Sequence, residues 1–421
     1  MKVLLSKVKI NDPRSSFNGQ TSDILIDSGI ITDIQPQISQ ECDRVIDGTG
    51  HTVAPGWVDV FANFADPGYE HKETLETGSQ AAAAGGFTDV LVIPNTRPVV
   101  DTKAQVEYIK HKSASLPVNI HPIGAISQHA DGQNLSEMYD MRNSGAVAFS
   151  DGLHPMQSAG ILLKALQYVK RFDGVIIQIP DDRSVGANGL MHEGIVSTQL
   201  GLAGKPMMAE ELLVARDIKL ARYADSAIHF TGVTSPKSLE YIRRAKEAGL
   251  PVTCSVTPFH LYFTDAAVSG YNSNFKVYPP LRTEKEIAVL KKALEDGTID
   301  CIATHHLPHE TDSKVVEFEY ASFGMIGLET CFAVINTVMP NLSAQRFTEL
   351  FSINPRKIFG LPERIIEKNA EATVTIYQTD TPMEVTAADL RSRSRNTPFL
   401  GAKLKGKVTG IINGKHIVLN N

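Results

Sequence analysis

Three histidines, His305, His306 and His309, lie within one short segment, THHLPHE at residues 304–310. Imidazole nitrogens bind zinc and also act as general acids or bases, so such a cluster can support metal-assisted hydrolysis. Adjacent imidazoles in a loop can equally be hydrogen-bonded or solvated, and a short histidine tract is weak evidence for a metal site. The segment by itself leaves both interpretations open.

Other polar side chains follow short apolar runs along the chain, among them Asn63, Asn95, Asp151 and Gln178. This set is poor in the carboxylates and imidazoles that a hydrolytic zinc requires. The sequence contains no G-x-S-x-G nucleophile motif and no P-loop lysine motif. A set of polar residues that could bind a ligand is therefore present, without a clear catalytic signature.

Eight apolar runs in the middle of the chain predict the β-strands that would position these residues. They are GWVDVF, GFTDVLVIP, VNIHPIGAI, AVAFSD, GVIIQIP, SAIHFTG, LPVTCSV and IDCIATHH. The runs are apolar throughout, as in parallel sheets with both faces buried, and helical stretches separate most of them. Eight β/α units within about 250 residues predict a TIM (β/α)8 barrel with its site at the C-terminal strand ends. An open doubly wound sheet is the alternative, although no G-x-G-x-x-G follows an early strand.

Both ends of the chain have a different pattern, in which short apolar runs are separated by glycine and proline. Such runs predict β-strands, and the two ends together predict one small β-domain with the barrel inserted between them. Near the C-terminus, GKVTGIINGKHIVL predicts a hairpin whose type I′ turn is at Asn413-Gly414.

Composition excludes several classes of function. The net charge is −6 over 421 residues and no basic run occurs, which argues against nucleic-acid binding. No apolar run approaches the ~20 residues that span a bilayer, and the N-terminus does not resemble a signal peptide. Four well-separated cysteines, Cys42, Cys254, Cys301 and Cys331, predict reduced thiols. We therefore expect a cytoplasmic protein that does not bind membranes.

Longer segments resemble the long-chain bacterial dihydroorotases of the amidohydrolase superfamily. The similar segments are TVAPGWVDV, DPGYEHKETLETGSQAAAAGGFT, IPNTRPVVD, NFKVYPPLR, FGMIGLET, NPRKIFGL and NTPFLGAKLKGKV. Allantoinases and hydantoinases share some of these motifs. The resemblance implies a TIM barrel at residues 55–369 and a small β-sandwich formed by residues 1–54 and 370–421. It also implies zinc and the reversible conversion of carbamoyl aspartate to dihydroorotate in pyrimidine biosynthesis.

Most residues of the family's zinc site are replaced in this sequence. The family's first barrel strand ends in Asp-x-His-x-His-x-Arg, of which only Asp59 is kept. Of six metal-ligand positions only Asp151 retains the family residue, and His305 replaces the aspartate that also shuttles the proton. The vacated ligand and arginine positions hold Phe61, Asn63, Ala65, Gln178, Gly232 and His305. We therefore predict no catalytic residues, no bound metal and no cofactor.

Some substrate-binding positions of the family are kept. Asn95 and His309 occupy two of them, whereas Tyr278 replaces an asparagine before Pro-Pro-Leu-Arg. A remnant pocket is predicted from Asn95, Asp151, His305, His306 and His309. Asn95 could equally well serve only the turn before Pro98, and for Asp151 an ordinary loop hydrogen bond is the preferred interpretation.

These observations predict a dihydroorotase-like protein that is catalytically inactive, homo-oligomeric and a structural partner of aspartate transcarbamoylase. The alternative is an active zinc-dependent dihydroorotase or cyclic amidohydrolase with a site rebuilt from His305, His306 and Asp151. A third hypothesis is a metabolite-binding module that uses Asn95 and His309.

Overall fold

Five short strands open the chain in the computed structural model, which describes residues 1–420. They are β1 (Lys2–Ile10), β2 (Thr21–Asp27), β3 (Ile30–Gln35), β4 (Arg44–Asp47) and β5 (Thr52–Pro55). β1 pairs with β2, β4 and β5. The residues of β1 that face the core are odd-numbered up to Leu5 and even-numbered from Val8. The register shifts between these two residues, and Lys7 has a φ of 54°. This β-bulge keeps both ends of the strand facing one core.

The barrel strands follow the order of the chain around the sheet. The next ten strands are β6 (Trp57–Ala62), β7 (Phe87–Val92), β8 (Asn119–Gly124), β9 (Ala148–Phe149), β10 (Val175–Gln178), β11 (Met191–His192), β12 (Gly204–Lys205), β13 (Ala227–Phe230), β14 (Val252–Val256) and β15 (Cys301–Ile302). Eight of them form the parallel barrel, whereas β11 and β12 form a separate two-stranded sheet. All eight predicted barrel strands are present.

The first and eighth barrel strands are joined by side-chain and backbone contacts. Asp59 is fully buried and accepts hydrogen bonds from the Thr304 N–H at 2.7 Å and the Thr304 hydroxyl at 2.8 Å. A backbone bridge links Ala62 to His306. Burial raises the pKa of Asp59 to about 6, against the hydrogen bonds from Thr304. The aspartate that the sequence retains therefore helps to close the barrel.

Helices lie between the barrel strands and continue after the eighth. They are α1 (Leu75–Ala84), α2 (Lys103–Lys112), α3 (Met138–Asn143), α4 (Ala159–Val169), α5 (Ile195–Leu200), α6 (Met208–Ala224), α7 (Pro236–Glu247), α8 (Phe259–Tyr262), α9 (Glu284–Glu295), α10 (Cys331–Val338), α11 (Ala344–Thr348) and α12 (Asn354–Ile358). Short 3₁₀ helices and a π-helical turn at Glu349–Ile353 connect some of them. The local sequence determines where several helices begin. The Thr74 hydroxyl caps α1, and Ser235 caps α7 ahead of Pro236.

The last three strands return to the first sheet. They are β16 (Thr373–Glu384), β17 (Lys403–Asn413) and β18 (His416–Leu419), and β16 pairs with β5. The predicted hairpin exists, but its turn is one residue later than predicted. Asn413 pairs with His416, so the loop is Gly414-Lys415, and only Gly414 has a positive φ, 56°. The turn is therefore not type I′, which requires positive φ at both loop residues.

An aromatic cluster joins the terminal sheet to the barrel. Trp57 is fully buried, and its ring centroid lies 5.1–5.5 Å from the rings of Phe332, Phe347, Phe351 and Tyr377. The predicted TIM barrel with an additional sheet domain from both termini is confirmed. The domain boundaries at residues 54/55 and 369/370 stay predictions. Across residues 1–420, no helix is both long enough and apolar enough to cross a bilayer.

Candidate functional site

The first barrel strand ends in packed, turned backbone. Phe61 is fully buried, and its ring centroid lies 4.7 Å from that of His305. The Asn63 side-chain oxygen accepts a hydrogen bond from the Ala65 N–H at 2.7 Å, and the Asn63 N–H donates to the His306 carbonyl. Ala65 is buried with a φ of 57°. None of the side chains at positions 61, 63 and 65 is a carboxylate, imidazole or thiolate that could hold zinc.

Asp151 and Asn95 hold the loop that follows β9. The two carboxylate oxygens of Asp151 accept hydrogen bonds from the N–H and the hydroxyl of Ser127, at 2.9 and 2.5 Å. The Asn95 amide donates to the Asp151 carbonyl and accepts from the Leu153 N–H, at 3.1 and 2.9 Å. Burial raises the pKa of Asp151, although the bonds from Ser127 oppose this. Asp151 is therefore bonded as an ordinary loop carboxylate, whereas the amide of Asn95 bonds residues 151 and 153 and not its own turn before Pro98.

Gln178 at the end of β10 is bonded on both sides of its amide. Its nitrogen donates to the Met156 carbonyl at 3.4 Å and to the Asp217 carboxylate at 3.3 Å, and its oxygen accepts from the Met156 N–H at 3.3 Å. Asp217 lies in α6, pairs with Arg216 at 2.6 Å and has its pKa raised to about 6 by burial. The amide therefore links the strand end to α6 and to the loop before α4.

His305 fills the space that a side chain at position 232 would need. A Cβ placed on Gly232 would lie 2.7 Å from the His305 Cε1 atom. The His305 Nε2 atom is 2.8 Å from the Thr231 hydroxyl, which accepts a hydrogen bond from Ser255, and Ser255 contacts His229 at 3.0 Å. Burial lowers the pKa of His305 to about 3, and its Nδ1 atom has no partner. The ring is thus a neutral member of a buried hydrogen-bonded chain.

Replacing Gly232 tests whether His305 is held in this position. Gly232→Ala should lower the free energy of unfolding by about 3 kcal/mol, because a φ of 71° strains alanine and the methyl group meets the imidazole. Gly201 is the matched control, since its φ is 67° and no atom lies within 4 Å of an added Cβ. Gly201→Ala should cost only about 1 kcal/mol. Equal losses in urea unfolding would show that the imidazole is not fixed there.

His306 is part of a different buried network. Its Nε2 atom lies 3.4 Å from the Glu73 carboxylate, and its Nδ1 atom accepts from the Gly327 N–H at 3.3 Å. Glu73 also accepts hydrogen bonds from the Ser392 hydroxyl and the Arg393 N–H. Burial opposes ionisation of Glu73, but the contact with His306 and the hydroxyl donors lower its pKa overall. The pair fixes the C-terminal segment near residues 392–394 to the barrel.

His309 lines a cavity of about 610 Å³ at the barrel mouth, here named the mouth cavity. Its Nε2–H donates to the Phe323 carbonyl at 2.9 Å, and its Nδ1 atom has no partner. Burial lowers the pKa of His309 to about 4. The lining residues are Leu153, His154, Asp181, Arg183, Ala187, Gly189, Lys205, Tyr278, Leu307, His309, Ser322 and Phe323. Of the five predicted pocket residues only His309 is among them, and substrate contact by the other four stays a prediction.

Comparison with known proteins identifies the family of this chain. A family model described as "Dihydro-orotase-like" matches residues 50–238. The dihydroorotase of Pelotomaculum thermopropionicum is 41% identical over 426 residues, covering 100% of this chain and 99% of that protein. The dihydroorotase of Syntrophus aciditrophicus is 39% identical, covering 97% of each. The chain belongs to the dihydroorotase family.

Solved structures support the fold. The L-hydantoinase of Arthrobacter aurescens superposes with a TM-score of 0.87 at 24% identity, covering 99% of this chain and 96% of that one. A D-hydantoinase superposes with a TM-score of 0.86 at 19% identity. At this level of identity the likeness concerns architecture, and it matches the barrel with its terminal sheet.

The residues of this dihydroorotase-family chain do not fit the zinc that the family implies. Both ring nitrogens of His306 and both carboxylate oxygens of Asp151 are already bonded, and Phe61 and Gly232 offer no side-chain donor. Within residues 1–420, no three His, Cys, Asp or Glu side chains form a group that could hold a metal ion. A catalytic zinc normally takes three protein ligands. The rebuilt site of His305, His306 and Asp151 is therefore not assembled as a ligand set.

Sequence reasoning missed three residues that matter at the barrel mouth of this dihydroorotase-family chain. Asp181 and Arg183 follow β10 directly in the segment IPDDR, and Lys205 comes from β12. The charged run after a predicted barrel strand was a signal for the first two. Lys205 had none, because only the separate β11–β12 sheet brings it back to the mouth.

Proposed function

We propose that this chain is a non-catalytic member of the dihydroorotase family that serves as a structural partner of aspartate transcarbamoylase. The first half of the proposal, that the chain is non-catalytic, rests on the state of the six metal-ligand positions. Their side chains are packed, absent, or hydrogen-bonded within the protein. Opening a cyclic amide requires an activated water and a group that transfers protons near neutral pH.

His305 is a poor substitute for the family's proton-shuttling aspartate. Burial lowers its pKa to about 3, so the ring is a weak base at neutral pH. One of its nitrogens is bonded to Thr231, and Phe61 lies against the ring. A general base works best when its pKa is near the working pH and a substrate proton is within reach. Neither the basicity nor the access of this imidazole suits that role.

The partner half of the proposal rests on the resemblance to bacterial dihydroorotase-like chains that pair with aspartate transcarbamoylase. A barrel whose core and closing contacts are intact can present a rigid surface without any chemistry. A homo-oligomeric assembly in the cytoplasm belongs to the same proposal. The partner is thus inferred from family membership, and the inactivity from the residues.

Metal content and turnover test the first half. After incubation with excess zinc and desalting, the purified chain should retain far less than one zinc per molecule. It should also hydrolyse dihydroorotate no faster than the buffer. Stoichiometric zinc, or turnover that His305→Ala abolishes, would establish the rebuilt-site alternative instead. A relative from the same family that keeps the histidine ligands, treated in parallel, controls for the loading procedure.

Co-expression tests the second half separately. The chain and the aspartate transcarbamoylase of the same organism should co-elute in light-scattering chromatography at a fixed ratio. Separate elution at micromolar concentration would remove the proposed partner, while the metal and turnover results would still decide whether the chain is inactive.

A further inference from the structure

A second cavity lies where the terminal sheet meets the helices that follow the eighth barrel strand, and we name it the junction cavity. Its volume is about 460 Å³, which is in the size range of pockets that bind small molecules. Residues of β1, β5, β16 and β17 form one wall, and residues of α10 and α11 form the other. None of the six metal-ligand positions lines this cavity, and it shares no residue with the mouth cavity.

The helix wall of the junction cavity is apolar. Phe332, Ile335 and Met339 are spaced i, i+3 and i+7 along α10 and its C-terminal end, so they project from one side of the helix. Phe347 of α11 adds a second aromatic ring, whose centroid lies 5.6 Å from that of Phe332. The unbranched side chain of methionine adapts to the shape of its neighbours. The aromatic ring of a ligand can therefore pack against other rings on this wall.

The sheet wall carries a row of three polar side chains. Thr52 of β5 is paired with Lys9 of β1 on one side and with Tyr377 of β16 on the other. Side chains paired across neighbouring strands project from the same face of a sheet and lie about 5 Å apart. The ring centroid of Tyr377 lies 5.1 Å from that of Phe332, so this face of the sheet is the one that meets α10. Lys9, Thr52 and Tyr377 therefore form one row opposite the apolar wall, and all three line the cavity.

Each of these three side chains has a hydrogen-bond donor that the protein does not use. Within residues 1–420, the Lys9 ammonium and the Thr52 hydroxyl form no hydrogen bond or ion pair. The Tyr377 oxygen accepts a hydrogen bond from the Asn11 amide at 3.0 Å, but its own O–H has no acceptor among the described residues. Burial raises the pKa of Tyr377 to about 12, so the hydroxyl keeps its proton at neutral pH. A cation and two hydroxyl donors in one row suit the oxygens of an anion.

We propose that the junction cavity binds a small aromatic monocarboxylate. The ring of the ligand packs against the helix wall, and its carboxylate accepts hydrogen bonds from the row of three donors. The other two charges at the cavity, Lys405 and Asp380, lie 2.8 Å apart and compensate each other, which leaves Lys9 as the unpaired charge. Such binding is independent of catalysis, because the site lies away from the vacated metal positions. It would bring the terminal sheet and the helices into contact with one ligand.

Isothermal titration calorimetry of the whole chain with three probes tests this site. Phenylacetate carries both the ring and the carboxylate, phenylacetamide has the same shape without the charge, and acetate lacks the ring. We expect a Kd on the order of 1 mM for phenylacetate and affinities at least about tenfold lower for the other two. No binding of phenylacetate at concentrations up to about 10 mM would overturn the proposal. Equal affinity for phenylacetate and phenylacetamide would also overturn it, because the row of donors would then recognise no anion.

Variants locate the bound probe. Lys9→Met should weaken phenylacetate about tenfold and leave phenylacetamide unchanged, so that the two probes bind alike. Lys403→Met is the matched control, because Lys403 is exposed at the start of β17 and does not line the cavity, and it should change neither affinity. Tyr377→Phe keeps the ring and removes the hydroxyl, and it should weaken phenylacetate severalfold. Wild-type affinity of the Lys9→Met variant for phenylacetate would place the probe elsewhere and overturn the proposal.

Discussion

Acidification from pH 7 to pH 5 is expected to destabilise the folded chain by several kcal/mol, because four imidazoles are buried in the neutral form. Burial lowers the pKa of His229, His260 and His305 to about 3, and that of His309 to about 4. In the unfolded chain a histidine has a pKa of about 6.5. Over this pH range these four imidazoles therefore take up protons in the unfolded state and almost none in the folded state.

The sign follows from this difference in proton uptake. Each neutral imidazole contributes to the free energy of unfolding. This contribution is fully present above pH 6.5 and is lost as the pH falls towards 3, with roughly 2 kcal/mol lost per ring by pH 5. Asp59 and Asp217 act in the opposite direction, because burial raises their pKa to about 6 and the folded state binds their protons first. They recover about 1 kcal/mol each, which leaves a net loss on the order of 5 kcal/mol. Such a loss is comparable to the whole stability of many domains.

Urea unfolding at pH 7, 6 and 5 measures this loss directly. His229→Gln should make the pH dependence shallower by about one proton, since the amide can still contact Thr253 and Ser255 but does not titrate. His416→Gln, at an exposed position in β18, should leave the slope unchanged. A free energy of unfolding that is constant from pH 7 to pH 5 would contradict the buried neutral state of these rings.

The barrel could be predicted from sequence because its signals are local. Each strand is a continuous apolar run, and several intervening helices end at glycine or begin at a hydroxyl cap. Even AVAFSD, which forms only the two-residue strand Ala148–Phe149, was recognisable from its place in the alternation. The separate β11–β12 sheet and α10–α12 were not predicted. Their positions depend on contacts with distant segments, such as β17 against α10.

The candidate site could be predicted in composition but not in arrangement. The sequence identified the residues at the vacated positions, and the types of these residues are the evidence against a zinc site. That His305 occupies the space beside Gly232 depends on a missing Cβ and on the rotamer of a residue in another loop. The free Nδ1 of His309 depends likewise on a carbonyl that the neighbouring loop supplies. Hydrogen-bond partners of this kind are set by tertiary packing, which no local pattern encodes.

The second large effect is expected at the opposite end of the barrel, where Arg356 of α12 meets Asp89 of β7. Their charged atoms lie 2.5 Å apart, and both side chains are at most 2% exposed. The same guanidinium donates to the Gly56 carbonyl at 3.0 Å, and His121 contacts the other Asp89 oxygen at 2.9 Å. Although burial opposes it, the charge of Arg356 holds the pKa of Asp89 well below its usual range. The pair fixes α12 to the N-terminal face of the barrel.

Asp89→Asn should therefore lower the free energy of unfolding by about 3–5 kcal/mol, because it leaves a buried guanidinium without a counter-charge. The exposed pair of Lys405 and Asp380, 2.8 Å apart, is the control, and Asp380→Ala should change the free energy of unfolding very little, because water screens this pair. Arg356→Met combined with Asp89→Asn should cost less than the sum of the single variants, since no uncompensated charge remains. Strict additivity in chemical unfolding would show that the two charges are independent. The stability at this face would then come from packing alone.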